Sequence, residues 1–439
     1  MVFVGSFALL GCVAPIDKAA TLNPSNGGNG GGNVGGNDGG DVGPFCPSTG
    51  ATLRGTVLAP TPARFGAPDP LYNALVYVPS APLAPFTSGV TCERCGKVTG
   101  APIVTALSGP DGKFTLNNVP PGKNVPLVIQ IGRWRRRVVI PEVAACAESV
   151  LPAELTRLPR NRFEGDIPAI AIATGLWDPF DCTLRKIGID DSEFTLPTGP
   201  GRVHMWAYTG NHLGPATPPG TDLVGSPQTL SKYDIVILPC GGTRPKERAG
   251  QQNLLAYTNS GGRLFLTDWS NTWLLDGNPA GFEGTVKWKA DDIYQGRSFI
   301  GSVDDGFPKG LSFSQWLSSI GAASPIPGQI PIHDPFGGRS VVDDVVPPTQ
   351  RWIYTDGTTT GKVAAIHHFT FNTPIGADDS AQCGRVVFSQ FHTPGDEKHA
   401  LFPTGCDDNP LIPQEKALEF MLFDASSCIQ SDLIPPVVY

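Results

Sequence analysis

Three side chains able to do chemistry stand directly behind apolar runs of this sequence. Cys240 follows Tyr233-Asp234-Ile235-Val236-Ile237-Leu238-Pro239, Asp268 lies just behind Arg263-Leu264-Phe265-Leu266, and His392 closes Gly384-Arg385-Val386-Val387-Phe388-Ser389-Gln390-Phe391. A thiol, a carboxylate and an imidazole are the parts of a nucleophile with its acid–base partner. Asp268, Trp269, Asp276, His367, His368, His392 and His399 offer a second chemistry, because carboxylates with imidazoles suit zinc or another divalent ion. Against it, His367 and His368 are adjacent, so in a strand they face opposite sides. The reading adopted is no metal and no cofactor, with Asp268, His392 and Cys240 as the candidate catalytic residues. Trp269, Trp273 and Trp288 present flat faces that would stack on a sugar, and core packing explains them as well.

These residues need a scaffold, and the spacing of apolar runs supplies one. Ile167-Pro168-Ala169-Ile170-Ala171-Ile172-Ala173 reads as a strand buried on both faces. A helix around Cys182 to Ile189 follows, then strands at Arg202–Ala207, Tyr233–Pro239 and Arg263–Leu266. QQNLLAYTNSGG between the last two is a helix with Leu254, Leu255 and Tyr257 in its apolar stripe and Gly261 at its exit. Strands alternating with helices imply a parallel sheet with right-handed crossovers. PQEKALEFMLFDASS closes the region as an amphipathic helix with Pro413 near its first turn. Residues 160–434 are therefore expected to form an α/β domain, with a β-rich elaboration at about 277–362 packed over the edge of the sheet.

Residues 46–159 have a different grammar. ATLRGTVLAP, NALVYVPSAP, GAPIVTALS, GKFTLNNV, VPLVIQIG and RRRVVIPEV are short, β-branched and punctuated by Gly and Pro, which predicts an antiparallel β-sandwich. Gly109-Pro110-Asp111-Gly112 before Lys113-Phe114-Thr115-Leu116 predicts a hairpin. Cys92 and Cys95 fall in a loop and are read as a local staple, or as halves of separate disulfides with Cys46 or Cys146. Arg133-Trp134-Arg135-Arg136-Arg137 is the one dense basic run. Either Arg135 and Arg137 meet an anionic ligand, or the arginines guard a strand edge with Trp134 turned inward.

Several of these stretches carry family resemblances. GTV…LYNALVYVPSAP…PDGKFTLNNVPPGKN resembles the carboxypeptidase regulatory-like domain, a transthyretin-like β-sandwich. That resemblance implies a stabilising or binding module without a peptidase site. YDIVILPCGG…LLAYTNSGGRLFLTDWS resembles the class I glutamine-amidotransferase-like fold, a flavodoxin-like unit, and GRVVFSQFH resembles its late strand with the catalytic histidine. The family uses a cysteine on a sharp elbow with a His–Glu relay. Here the elbow holds Asp268-Trp269-Ser270, Cys240 stands where the fold usually has glycine, and Pro394 takes the place of the acid. The resemblance thus implies a scaffold without its triad. In flavodoxin-like order the first and third strands are neighbours, which predicts a Cys182–Cys240 disulfide. VPLVIQIGRWRR, LRKIGIDDSEFT, FNTPIGA, CGRVVFS and LIPQEKALEFMLFDASSC together resemble myxobacterial-type lipoproteins that join the two domains, and imply an architecture rather than an activity.

The start of the chain speaks to location. Leu9-Leu10-Gly11-Cys12 resembles a bacterial lipobox, so residues 1–12 read as a lipoprotein signal with Cys12 the lipidated residue. No Lys or Arg precedes it. Residues 13–45 form a Gly/Asn-rich linker whose stretch from Asn23 to Pro44 would span roughly 25 Å as a flexible coil. The remaining cysteines, Cys46, Cys92, Cys95, Cys146, Cys182, Cys240, Cys383, Cys406 and Cys428, suit disulfides in an oxidising compartment. A net charge of −8 does not favour nucleic acid. The expected protein is a cell-envelope lipoprotein, anchored in the membrane through its lipid, probable site the outer membrane by analogy, or secreted if Cys12 is unmodified. Its expected role is binding or assembly with an envelope protein or a glycan; the alternative is a hydrolase with an unconventional site at the carboxyl edge of the sheet.

Overall fold

A computed structural model describes residues 50–96, 98–242, 248–275, 281–358, 363–393 and 399–437. Cys12, Cys46, Asp276 and Pro394 lie outside them. Seventeen strands are described, and they arrange into three sheets. The first seven are β1 (Ala51–Thr56), β2 (Leu75–Pro79), β3 (Pro102–Leu107), β4 (Lys113–Val119), β5 (Gly122–Ile131), β6 (Trp134–Val143) and β7 (Glu148–Val150). They form two small sheets, ordered β4-β1-β7 and β3-β2-β5-β6. The Asp-Gly turn exists, with Gly112 at φ 70°, but it does not make a hairpin. It passes the chain from one sheet to the other, because β3 pairs with β2 and β4 with β1. The tight hairpin is β5–β6, where Ile131 faces Trp134 across Gly132-Arg133 and Gly132 takes φ 51°.

The third sheet carries the chemistry. Its strands are β8 (Ile170–Thr174), β9 (Phe194–Thr195), β10 (Val203–Ala207), β11 (Ile235–Leu238), β12 (Arg263–Thr267), β13 (Val286–Val303), β14 (Gln329–Val345), β15 (Gln350–Asp356), β16 (Ala364–Thr373) and β17 (Gly384–Ser389). Setting aside two-residue β9, the parallel strands run β10-β8-β11-β12-β17. Ranked by position in the chain this is 2-1-3-4-5, the flavodoxin-like order. Strands β8, β11, β12 and β17 are buried at every residue, which explains their unbroken apolar runs. The region expected to pack over the sheet edge continues the sheet instead. β16 pairs antiparallel with β17, and β15, β13 and β14 follow outward. The result is a β-rich fold dominated by one large mixed parallel and antiparallel sheet.

The C-terminal helix, Pro413–Ser426, departs from the amphipathic expectation: twelve of its fourteen residues are buried. It lies between the large sheet and the first two. Phe420 stacks on Tyr72, Phe423 meets the edge of Trp134, and Lys416 binds Asp69 at 2.8 Å. One apolar cluster runs from Leu53, Leu116 and Ile129 through Phe420 to Ile172 and Phe265, so residues 46–439 make one compact unit. The basic run at 133–137 serves this junction. Trp134 is fully buried, Arg133 binds Glu93 at 2.6 Å and Asp234 at 2.7 Å, and Arg135 binds Asp166 at 2.8 Å. Arg135 is thus consumed internally, and only Arg137 of the two ligand candidates is exposed. No helix among the described residues is long and apolar enough to cross a membrane.

At the buried end of that helix two cations meet two anions. Arg385 lies 2.7 Å from Asp424 and 2.9 Å from Asp432, and Lys309 lies 2.8 Å and 3.0 Å from the same pair. Removing one member leaves an uncompensated buried charge, a loss of about 3–5 kcal/mol. Arg385→Met is therefore expected to lower unfolding stability by about that amount in urea titration at neutral pH, and an unchanged midpoint would refute the assignment. Burial alone would raise the Asp432 carboxyl, but Arg385 and Lys309 hold it well below the usual carboxylate range. Its folded value lies below its unfolded value of about 4. The contribution is complete above that pH and is lost as pH falls below it, so Asp432→Asn should flatten the acid limb of the stability profile.

Candidate functional site

Four strand ends converge on one centre at the carboxyl edge of the parallel sheet, where such folds bind ligands. Asp178 follows β8, Cys240 follows β11, Asp268 follows β12 and His392 follows β17. Glycine makes the approach possible, since a Cβ on Gly175 would lie 2.3 Å from the Cys240 carbonyl oxygen. Gly242, at φ 75°, leaves room for Trp177, whose indole a Cβ there would strike at 2.0 Å.

The three residues singled out in the sequence do come together. Cys240 Sγ donates to Asp268 Oδ2 at 3.3 Å, and His392 Nε2 lies 3.4 Å from the same oxygen. Asp268 sits at φ 37°, a left-handed conformation on the turn between β12 and a short helical segment. Gln390 Nε2 donates to its Oδ1 at 2.7 Å. What the sequence reading missed is Asp178. Its Oδ1 lies 3.0 Å from His392 Nδ1 and accepts the Thr393 amide at 2.8 Å, while Oδ2 accepts from Thr267 Oγ1. A signal existed: Asp178 follows the first parallel strand just before a helix, at the switch point of the sheet. Gln414, from the first turn of the C-terminal helix, donates to the His392 carbonyl at 2.8 Å and so ties the centre to the core.

Electrostatics set the protonation states. Burial alone would lower the His392 pKa, but Asp178 and Asp268 on either side raise it to about 10. That direction favours the imidazolium at neutral pH. Burial, together with the neighbouring Asp178 charge, raises Asp268 to about 6 against the pull of His392. Burial first, then Asp268 and Asp178, push the Cys240 thiol up. A protonated thiol bonded to a carboxylate is not an activated nucleophile. The centre is also closed: Asp178, Cys240, Asp268 and His392 are 0, 1, 2 and 6% exposed.

The disulfide expectations need correction. Cys182 pairs with Cys406, and Cys240 is a free buried thiol. The strand order that places Cys182 and Cys240 at one edge is present, but Cys240 is turned toward Asp268. Cys92 and Cys95 are halves of separate disulfides, as one reading held, but with Cys383 and Cys428 rather than Cys46 or Cys146. Cys146 is disulfide-bonded. The wider histidine cluster does not form. His367 and His368 are fully buried and pushed down to about 3 by burial, His367 against Thr355 and Phe299, His368 against Phe391. His399 packs on His212. Trp273 belongs to the core and Trp288 packs edge-on against Phe369 and Phe388; Trp269 is partly exposed.

A doubly wound α/β sheet with an acid–imidazole centre at its carboxyl edge is therefore the class that fold and site define. Solved structures similar to parts of the chain include a putative ThuA-like protein from Bacteroides uniformis, at 9% identity over 52% of this chain and 82% of that one, with a TM-score of 0.30. A cytoplasmic protein from Salmonella typhimurium is similar at 9% identity over 52% of this chain and 88% of its own, with a TM-score of 0.29. A cohesin–dockerin complex from Acetivibrio cellulolyticus matches 32% of this chain and 86% of its own at 13% identity and a TM-score of 0.17. Comparison with protein-family profiles finds no match. Comparison with curated proteins finds none either.

The state assigned to Cys240 can be checked directly. In the native protein with disulfides intact, Cys240 should resist iodoacetamide near neutral pH and react only after denaturation. Rapid native alkylation, located by peptide mass spectrometry, would contradict both its burial and its raised pKa.

Proposed function

We propose that this chain is an envelope lipoprotein that works by binding or assembly rather than by turnover. In this reading Cys12 carries the lipid, residues 13–45 are the tether, residues 46–159 are a carboxypeptidase regulatory-like sandwich, and residues 160–434 are an amidotransferase-like domain without its triad. The observation that carries the non-catalytic reading is the protonation pattern of the centre. His392 is held between two carboxylates and the Cys240 thiol donates to Asp268, an arrangement that favours the protonated form of both groups over a base and a thiolate. Disulfides joining distant parts of the chain favour an oxidising compartment and make a rigid body suited to presenting a fixed surface to an envelope protein or glycan.

One feature favours the hydrolase instead. Asp268 occupies the elbow with φ 37°, beside His392, and backbone strain gathers at active sites. Assaying the purified protein against chromogenic esters, anilides, phosphoesters and glycosides, beside His392→Ala, separates the two. The expected result is no turnover that depends on His392. Turnover abolished by His392→Ala would establish the hydrolase. For the anchor, the N-terminal peptide from envelope material should carry an acylated Cys12, and Cys12→Ala should release the protein from the membrane pellet.

A further inference from the structure

All four residues of the centre are buried, and the distances around Asp268 Oδ2 suit an ion site. Asp178, Cys240 and His392 bring their donor atoms within 4.8 Å of one another, with Asp178 engaged on the imidazole Nδ1. Asp268 Oδ2 lies 3.3 Å from Cys240 Sγ and 3.4 Å from His392 Nε2. Bonds of about 2.0–2.3 Å from a tetrahedral zinc ion place neighbouring ligand atoms roughly 3.3–3.7 Å apart. The donor set is one sulfur, one imidazole nitrogen and one carboxylate oxygen, the mixture that zinc-class ions take and magnesium or calcium do not.

Two further observations point the same way. Asp178 holds Nδ1 of His392 at 3.0 Å. A carboxylate on one ring nitrogen is the usual way to orient an imidazole that ligates a metal with the other. Gln390 is 1% exposed and rests its Nε2 on Asp268, yet its Oε1 has no hydrogen-bond partner. A buried acceptor of this kind leaves a place for a donor, an ordered water or a water held by a bound ion.

We propose that Cys240 Sγ, Asp268 Oδ2 and His392 Nε2 bind a divalent transition-metal ion of the zinc class, with Asp178 as a positioning residue on His392 Nδ1. The ion replaces the thiol proton that now bridges Cys240 to Asp268, and the Nε2 proton of the imidazolium, and both protons pass to solvent. No electron is transferred. The site goes beyond the binding reading, whose protonation pattern describes the metal-free centre, and its test is separate because the ion is detected without any activity or partner.

The test uses the full chain with its disulfides formed. The protein is loaded with zinc, dialysed against metal-free buffer and read by native mass spectrometry and elemental analysis; a parallel sample is loaded with cobalt(II). The expected result is one retained zinc per chain and a near-ultraviolet thiolate-to-cobalt charge-transfer band. Cys240→Ser should abolish the band and weaken zinc binding by about tenfold or more, on the scale of single-residue losses at metal sites. His212→Ala, which disrupts the contact of half-buried His212 with exposed His399, should leave both readouts unchanged. No retained zinc in the wild type would overturn the proposal, as would a charge-transfer band that survives Cys240→Ser or zinc binding lost with His212→Ala. Cys240→Ser is the deciding variant because it preserves a hydrogen-bonding oxygen in the same place; near-ultraviolet circular dichroism confirms that it folds.

Discussion

The molecule depends on burying a helix that carries charge. Pro413–Ser426 lies between the large sheet and the two small ones, and a helix in that place must be apolar on nearly every side. This one is not. Its Asp424 survives burial only because Arg385 and Lys309 neutralise it, and its Gln414 is satisfied by the carbonyls of His333 and His392. Those partners come from β17, the helix at Pro308–Ser319, β14 and the residue at the heart of the candidate site. The same packing contact that joins the sheets therefore fixes the position of the histidine.

The parallel strands were legible because burial on both faces imposes long apolar runs, as in Ile235–Leu238 and Val386–Phe388. The carboxyl-edge position of Cys240, Asp268 and His392 followed from those runs. The strand pairing of the first unit was less legible. An Asp-Gly turn reports a local reversal, and it is silent about which sheet each flanking strand joins. The disulfide partners of Cys92 and Cys95 were illegible for the same reason, since nothing local in the loop points to Cys383 or Cys428. Asp178 escaped notice because a single acid in GLWDPF gains its meaning only when the sheet order brings β8 beside β11 and β12.

At the centre, position and electrostatics point in different directions. Asp268 has a left-handed backbone on the turn after β12, and His392 lies behind the last parallel strand. Yet the neighbouring carboxylates move the imidazole toward a permanent proton and the thiol away from ionisation. Position alone would have nominated a nucleophile and a base.

The disulfides bear on how the chain is made. In each of the three described, the second cysteine lies between Cys383 and Cys428, near the end of the sequence. As the chain is made, Cys92 and Cys95 must wait for almost the whole remainder of it before their partners arrive. In that interval their nearest sulfur is each other's. Correct crosslinking thus demands either late oxidation or a reshuffling of bonds by thiol–disulfide exchange.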